Sequence, residues 1–365
     1  MQTYYWKLQN KPGDDDIIKQ AASFIKQGEV VAFPTETVYG LGANGLNGEA
    51  VNKIFAAKGR PNDNPLILHI ADAADIKQLT SGLTANAKNL MEHFWPGPLT
   101  MVVKKSDIVP DEVSAGLDTV GVRFPSNPFA QKFIKACGCP IAAPSANISG
   151  RPSPTNAMDV MEDMQGKIAA ILDAGSCGIG LESTVVDTTE PVPVILRPGG
   201  ITYEMLTEVL GAVEIDPALA GDKNFKPRAP GMKYRHYAPK AAMYLLDGDA
   251  AKLLPKFTAK ALAEGKRVGV LCSEATLAKL PVSDKIIASP WGSSTEELAE
   301  KLFYLLRDFD RTQPDVILAE GVSEAGIGLA VMNRMRKAAG YQIVTLEGGQ
   351  LKIKNGTQIP SFMVQ

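Results

Sequence analysis

The sequence predicts an α/β protein built as two successive units, a large sheet followed by a smaller, Rossmann-like one. Three observations carry this. Short apolar strands alternate with amphipathic helices as far as Ala212. An acid-free, Pro-marked stretch, NFKPRAPGMKYRHYAPK, interrupts the pattern from Asn224 to Lys240. A second run of strands joined by helical crossovers then begins at Ala241. A chain of 365 residues has room for two domains.

In the first unit, expected over 1–212, Ile17, Ile18, Ala21, Ala22, Phe24 and Ile25 share one helical face. Asp14 to Asp16 open that helix and Gly28 follows it. Apolar runs predict strands at 29–33, 66–70, 99–103, 120–124, 140–143, 168–173, 184–187 and 194–196. Helices fit 84–94, 128–136, 155–164 and 202–210, and Val51, Ile54 and Phe55 mark one that delivers Lys58. Residues 213–240 read as a basic, extended linker, either solvated or lying across a charged site as a lid. In the second unit, 241–346, strands fit 242–246, 267–272, 285–288, 316–319 and 342–346, with helices between them at 295–309 and 328–339 among others. No GxGxxG follows its first strand, so dinucleotide binding is unsupported there. Residues 347–365 are expected to form an extended tail.

Composition narrows the function classes. There are 38 basic and 40 acidic side chains, so net charge gives no nucleic-acid signature. Cys137, Cys139, Cys177 and Cys272 lack a CxxC spacing, and His69, His93 and His236 lie far apart. Neither a zinc site nor a disulfide framework is suggested. There is no basic-then-apolar leader and no run of membrane-spanning length, and the expected location is the cytoplasm. The P-loop, the GxSxG elbow, HExxH and the kinase signatures are all absent.

Polar groups instead gather at strand ends. In KGRPNDNPLILHI, Lys58 and Arg60 leave a helix and enter a loop stiffened by Pro61 and Pro65, with Asn64 and His69 nearby. Such a pair serves a helix C-terminus or an anionic ligand. PTETVYGLG brings the hydroxyls of Thr35, Thr37 and Tyr39, and Gly40 and Gly42 for close backbone approach. His69 in an apolar strand reads most simply as a satisfied core histidine. Arg123 in TVGVRFP interrupts a strand that should be buried and must be paired, for which a carboxylate or phosphate would serve. PSANISGRPSPT offers Ser145, Asn147, Ser149, Arg151 and Ser153. GLESTVVD brings Ser183 and Thr184, and LRPGG brings Arg197. Any one of these is weak. Together they describe an anion-seeking cavity at the strand ends of an open α/β sheet.

PTETVYGLG, KGRPNDNPLILHI, WPGPLT, TVGVRFP, APSANISGRPSPT, ESTVVD and LRPGG, in this order, resemble the YrdC-like threonylcarbamoyl-adenylate synthases. The KxR…SxN set of that family appears as Lys58, Arg60, Ser145 and Asn147. PGMKYRHYAP and GIGLAVMNRMRKAAG resemble its long, two-domain form, so the likeness covers nearly the whole chain up to Leu346. It implies a twisted, open mixed sheet with flanking helices in the first unit and an α/β/α second unit.

The resemblance also implies an activity, condensation of L-threonine, bicarbonate and ATP to threonylcarbamoyl-AMP and pyrophosphate. Partner proteins then place the threonylcarbamoyl group on an adenosine of tRNA. Lys58, Arg60, Asn64, Thr119, Ser145, Ser153 and Arg197 are expected around ATP, with Arg235, His236 and Tyr237 closing over it. Thr35 or Thr37, His69, Ala143 through its backbone, and Ser183 are expected around threonine, with Arg123 on its carboxylate. Asn147 would orient the reacting groups. Magnesium (Mg²⁺) is expected with the ATP, held by phosphates and water, and no protein-only metal site is expected. Two rivals remain at this level. One is a carbamoyl-adenylate synthase using carbamoyl phosphate, disfavoured because the accompanying acylphosphatase and zinc-finger segments are missing. The other is an RNA-binding module, supported by the basic linker and weakened by overall acidity; a weak RNA contact is its residue in the first reading.

Overall fold

The structure, a computed structural model, describes residues 2–220, 237–354 and 358–364. They divide into two units, one running to Ala220 without Gly150–Pro152, the other containing Gly150–Pro152 and everything from Tyr237 onward. The linker residues Arg235 and His236 lie outside the described residues.

The first unit is built on an 11-stranded mixed sheet. Its strands are β1 (Tyr4–Lys7), β2 (Val31–Phe33), β3 (Gly40–Asn44), β4 (Ile67–His69), β5 (Leu99–Lys104) and β6 (Thr119–Arg123). They continue with β7 (Ile141–Ala142), β8 (Ala170–Asp173), β9 (Thr184–Asp187), β10 (Val194–Arg197) and β11 (Glu214–Ile215). The spatial order is β1-β8-β2-β3-β7-β4-β6-β5-β9-β10-β11. Helices begin where the side chains provide caps: Asn47 accepts from the Ala50 amide, Thr84 from Ala87, Asn127 from Phe129 and Ala130, and Asn156 from Asp159.

Alternation along the strands decides what lies on each face. One face carries Ala32, Leu41, Leu68, Met101, Val122, Ala142 and Val186, packed with Val51 and Ile54 of the helix Gly48–Lys58 into a single core. On the other face, β2, β7 and β8 bury Phe33, Ile141 and Leu172 against the helices Asp14–Lys26 and Pro128–Cys137. Beyond β7 that second face changes character. Across β4, β6, β5, β9 and β10 it carries His69, Arg123, Thr100 and Arg197 beside a small apolar cluster of Val102, Val185 and Leu196.

The second unit has the strands β12 (Ala242–Leu246), β13 (Val268–Cys272), β14 (Ile286–Pro290), β15 (Val316–Glu320), β16 (Ile343–Glu347) and β17 (Gln350–Lys354), in the order β14-β13-β15-β12-β16-β17. The first five run parallel, with helices at Leu254–Ala263, Thr295–Thr312 and Gly328–Ala338 in the connections, as a Rossmann-like sheet requires.

Three expectations are corrected. Residues 347–365 are not an extended tail throughout: β17 pairs antiparallel with β16, and Phe362 and Met363 are buried. QLKIK alternates in burial along the strand, a half-buried edge pattern whose single apolar face made a weak signal. The second half of PTETVYGLG begins a strand, β3, where no strand was expected. Its glycines make room for a neighbouring side chain: a Cβ on Gly42 would meet Ile141 Cγ2 at 2.7 Å and Phe33 Cε1 at 2.9 Å. Strand β1 was also missed, because YYWK has no apolar–polar alternation.

Candidate functional site

The open face of the first unit is organised as rows across neighbouring strands. In the first row His69 pairs with Arg123, Arg123 with Thr100, Thr100 with Val185 and Val185 with Arg197, across β4, β6, β5, β9 and β10. One row along, Ile67 pairs with Gly121 and Gly121 with Val102. With Pro65, Leu117, Thr119 and Val185 these line a slot directly beside the polar row. Polar side chains thus meet an apolar floor, in a narrow slot whose free volume is only about 10 Å³.

Arg123 is 3% exposed, so its charge must be met inside the protein. Nη2 donates to Glu36 Oε1 at 2.7 Å and Nη1 to Thr37 Oγ1 at 2.9 Å; Nε faces the Gly97 carbonyl at a long 3.4 Å. Gly97 stands where a Cβ would meet the Phe94 carbonyl oxygen at 2.4 Å, which explains a glycine in WPGPLT. Thr35 Oγ1 and Thr37 Oγ1 lie 2.9 Å apart, and Thr35 Oγ1 donates to the Val38 carbonyl. For Glu36, burial raises the carboxyl, but the charge and hydrogen bond of Arg123, with nearby backbone N–H groups, hold it below the usual carboxylate range.

His69 is lowered to about 3, first by burial and then by the positive charge of Arg123, so it is neutral. Its Nδ1 lies 3.2 Å from the Ile67 carbonyl, which can only accept. That places the proton on Nδ1 and leaves Nε2 as an acceptor. Cys177 is pushed up to about 12, chiefly by burial, which rules it out as a thiolate nucleophile beside Thr35.

The loop after β7 forms the second half of the site. Lys58, 4% exposed, donates from Nζ to the Ser145 carbonyl at 2.5 Å and the Asn147 carbonyl at 2.7 Å, and lies 3.5 Å from Asn147 Oδ1. Ser149 N–H donates back to the Lys58 carbonyl, Ser145 Oγ to Asn147 Oδ1 at 2.6 Å, and Asn147 Nδ2 to the Ile148 carbonyl. Asp163 accepts the Ile148 amide at 3.1 Å. The backbone reaches this loop through Ala143, whose N–H donates to the Ile67 carbonyl. Lys58 therefore braces the Ser145–Asn147 loop directly. Arg60 donates from Nη2 to the Asn64 carbonyl at 2.8 Å and lies over the Phe55 ring, while Asn64 is fully buried.

At the far end of the row, Ser183 Oγ is 2.8 Å from Thr100 Oγ1, and Arg197 donates to both the carbonyl and Oγ of Ser183 at 3.1 Å. Ser153 Oγ donates to Glu182 Oε1 at 2.6 Å. The structure thus brings His69, Arg123, Thr37 and Thr35 together, joins Ser183 to Arg197, and ties Lys58 to Ser145 and Asn147. Tyr237 belongs to the second unit, where its ring is 4% exposed and stacks on Phe303 at 4.9 Å. Arg151 lies in the segment that groups with the second unit. Sequence reasoning missed Thr100, Glu36 and Glu182, although each stands inside a motif it quoted; a polar residue within a strand end was the available signal.

Residues 23–199 match the Sua5/YciO/YrdC family profile, described as telomere recombination, and residues 201–340 match the C-terminal domain profile of threonylcarbamoyl-AMP synthase. The chain belongs to the threonylcarbamoyl-AMP synthase family. It is 52% identical to the threonylcarbamoyl-AMP synthase of Pyrococcus abyssi over 90% of this chain and 95% of that one. It is 47% identical to that of Bacillus subtilis over 91% and 95%. The crystal structure of P. abyssi Sua5 complexed with L-threonine matches with a TM-score of 0.88 at 48% identity, over 95% of this chain and all of that one. The first profile match runs from β2 to β10 and the second from β11 to β15. Among the described residues no helix is long and apolar enough to cross a membrane.

Proposed function

We propose that this chain condenses L-threonine, bicarbonate and ATP to threonylcarbamoyl-AMP, releasing pyrophosphate, and supplies the product in the cytoplasm to proteins that modify an adenosine of tRNA. The observation that carries this reading is the register row His69–Arg123–Thr100–Val185–Arg197 beside an apolar slot. It offers a neutral acceptor, a buried guanidinium, hydroxyls and a second guanidinium in sequence, as a small hydroxylated amino acid next to a nucleotide would need. The L-threonine complex of the related Sua5 supports the choice of amino acid.

On this reading Arg123 takes the threonine carboxylate and His69 Nε2 accepts the threonine hydroxyl, with Thr35, Thr37, Ala143 and Ser183 around them. The threonine ammonium group and bicarbonate give a carbamate and water, with one proton released to solvent. A carbamate oxygen then bonds to the α-phosphorus as the bond between the α- and β-phosphates breaks. The chain needs no nucleophile of its own for this. Its work is to hold two anions in reach and to place cations where charge develops. Arg60, Asn64, Thr119, Ser153 and Arg197 serve the phosphates and ribose, and the loop carrying Ser145 and Asn147, held by Lys58, closes on the α-phosphate.

Among the described residues no group of three or more His, Cys, Asp or Glu gathers as a metal site. The donor set of hydroxyls and cations suits a magnesium ion held by the phosphates and water, which when bound supplies neutralisation of phosphate charge. Pyrophosphate release measured with each substrate omitted tests the proposal. Release should require ATP, bicarbonate and L-threonine together. Equal release without threonine, or only with carbamoyl phosphate, contradicts it.

A further inference from the structure

Glu36 is a half-buried, charged group for which the reaction above gives no use. Its Oε1 accepts from Arg123 Nη2 at 2.7 Å. Its Oε2 is buried and has no hydrogen-bond partner. Arg123 keeps the group ionised, so both oxygens are acceptors only. The backbone N–H groups of Glu36 and Ser126 bias the charge without reaching hydrogen-bond geometry with Oε2. A buried carboxylate oxygen left in this state is unfavourable. It is the arrangement expected of an acceptor whose donor arrives with a ligand.

The donor can be named from the chemistry of the neighbours. An α-amino acid bears a carboxylate and an ammonium on adjacent atoms. Arg123 and Glu36 present a guanidinium and a carboxylate oxygen side by side, the opposite charges in the matching relation. We propose that Glu36 Oε2 accepts an N–H of the α-ammonium group of the amino-acid substrate, so that the Arg123–Glu36 pair reads the zwitterion as a unit. This rests on the reading that Arg123 holds the substrate carboxylate. Glu36 is then a substrate-binding residue as well as the counter-ion of Arg123. The site discriminates against hydroxy acids that lack the amine, because they leave Oε2 unpaired.

Calorimetric titration of the full chain with L-threonine and with 3-hydroxybutyrate, the same molecule without its amino group, tests this. The wild type should bind L-threonine at least about tenfold more tightly than 3-hydroxybutyrate. Glu36→Gln should erase most of that preference by weakening threonine alone, with 3-hydroxybutyrate unchanged within about twofold. Glu36→Asp keeps the ion pair and the fold, and should lose part of the preference in the same direction. Equal weakening of both ligands in the two variants would assign Glu36 to orienting Arg123 only and overturn the proposal, as would an unchanged preference. Arg123→Gln separates this from the parent reading: it should lose both ligands, and retained threonine binding in it would instead refute the placement of the carboxylate.

Discussion

Replacing Lys58 by alanine should damage the fold of the first unit as well as its activity. The lysine is 4% exposed and its ammonium makes two short hydrogen bonds to the Ser145 and Asn147 carbonyls. A hydrogen bond from a charged donor contributes about 1.5–3 kcal/mol, and a buried carbonyl left bare costs a comparable amount. With water partly replacing the ammonium, a loss of about 3 kcal/mol follows. For a unit of this size that lowers the unfolding midpoint by roughly 6–12 °C. The loop should also loosen locally, since the Ser149 amide is held by the Lys58 carbonyl and the Ile148 amide by Asp163. Thermal unfolding together with hydrogen exchange resolved over residues 144–149 is the assay. Arg60→Ala is the control. Its side chain donates to the Asn64 carbonyl outside this network, and it should lower activity with a midpoint shift under half as large. A Lys58→Ala protein with wild-type melting and wild-type exchange in that loop would refute the scaffold role and return Lys58 to a purely ligand-facing one.

Three further outcomes are expected. The folded protein holds His69 lowered to about 3, while the unfolded chain titrates near its ordinary value of about 6.5. The unfolded state therefore binds more protons between these values. The His69 contribution is complete above pH about 6.5 and is lost on acidification, by up to about 1.4 kcal/mol per pH unit. Denaturant midpoints at pH 7 and 4.5 should show a smaller pH difference in His69→Asn than in wild type; equal differences would contradict a neutral, buried imidazole. Gly121→Val places a branched side chain in the slot, where even a Cβ meets Thr100 Cγ2 at 3.2 Å and Ile67 Cγ1 at 3.4 Å. The KM for ATP should rise at least about tenfold, roughly 1.4 kcal/mol, with calorimetric L-threonine affinity little changed. An unaltered ATP KM would mean that the slot does not border the nucleotide. Phe362→Ala should destabilise the second unit by about 3–5 kcal/mol, since the ring is 5% exposed. A melting curve like that of the wild type would mean the last residues do not pack as described.

The two α/β units were legible because their strands are runs of Val, Ile and Leu bounded by Pro and Gly, and their helices carry clear apolar faces. The elements that sequence reading lost have physical reasons. Strand β3 is GLGAN, whose glycines serve the packing of Phe33 and Ile141 and look like a turn in one dimension. Strand β17 shows only a narrow apolar face, and β1 is an aromatic edge strand without alternation. Polar site residues were visible as interruptions, Arg123 and His69 above all, because a charge or imidazole inside an apolar strand demands a partner. Which partner it finds is a matter of register. Nothing in PTET says that the glutamate rather than a ligand meets Arg123 in this state, and nothing in KGRP says that Lys58 turns inward to the loop carbonyls. Thr100 joins the site only because β5 lies between β6 and β9.

The central claim is that this chain joins three substrates into one adenylate. Mass spectrometry of the full chain with ATP, L-threonine and ¹³C-bicarbonate tests it most directly. The expected result is a threonylcarbamoyl-AMP signal shifted by the single labelled carbon and absent when any substrate is left out. An adenylate that forms without the label, or one that lacks the threonine mass, would contradict the account.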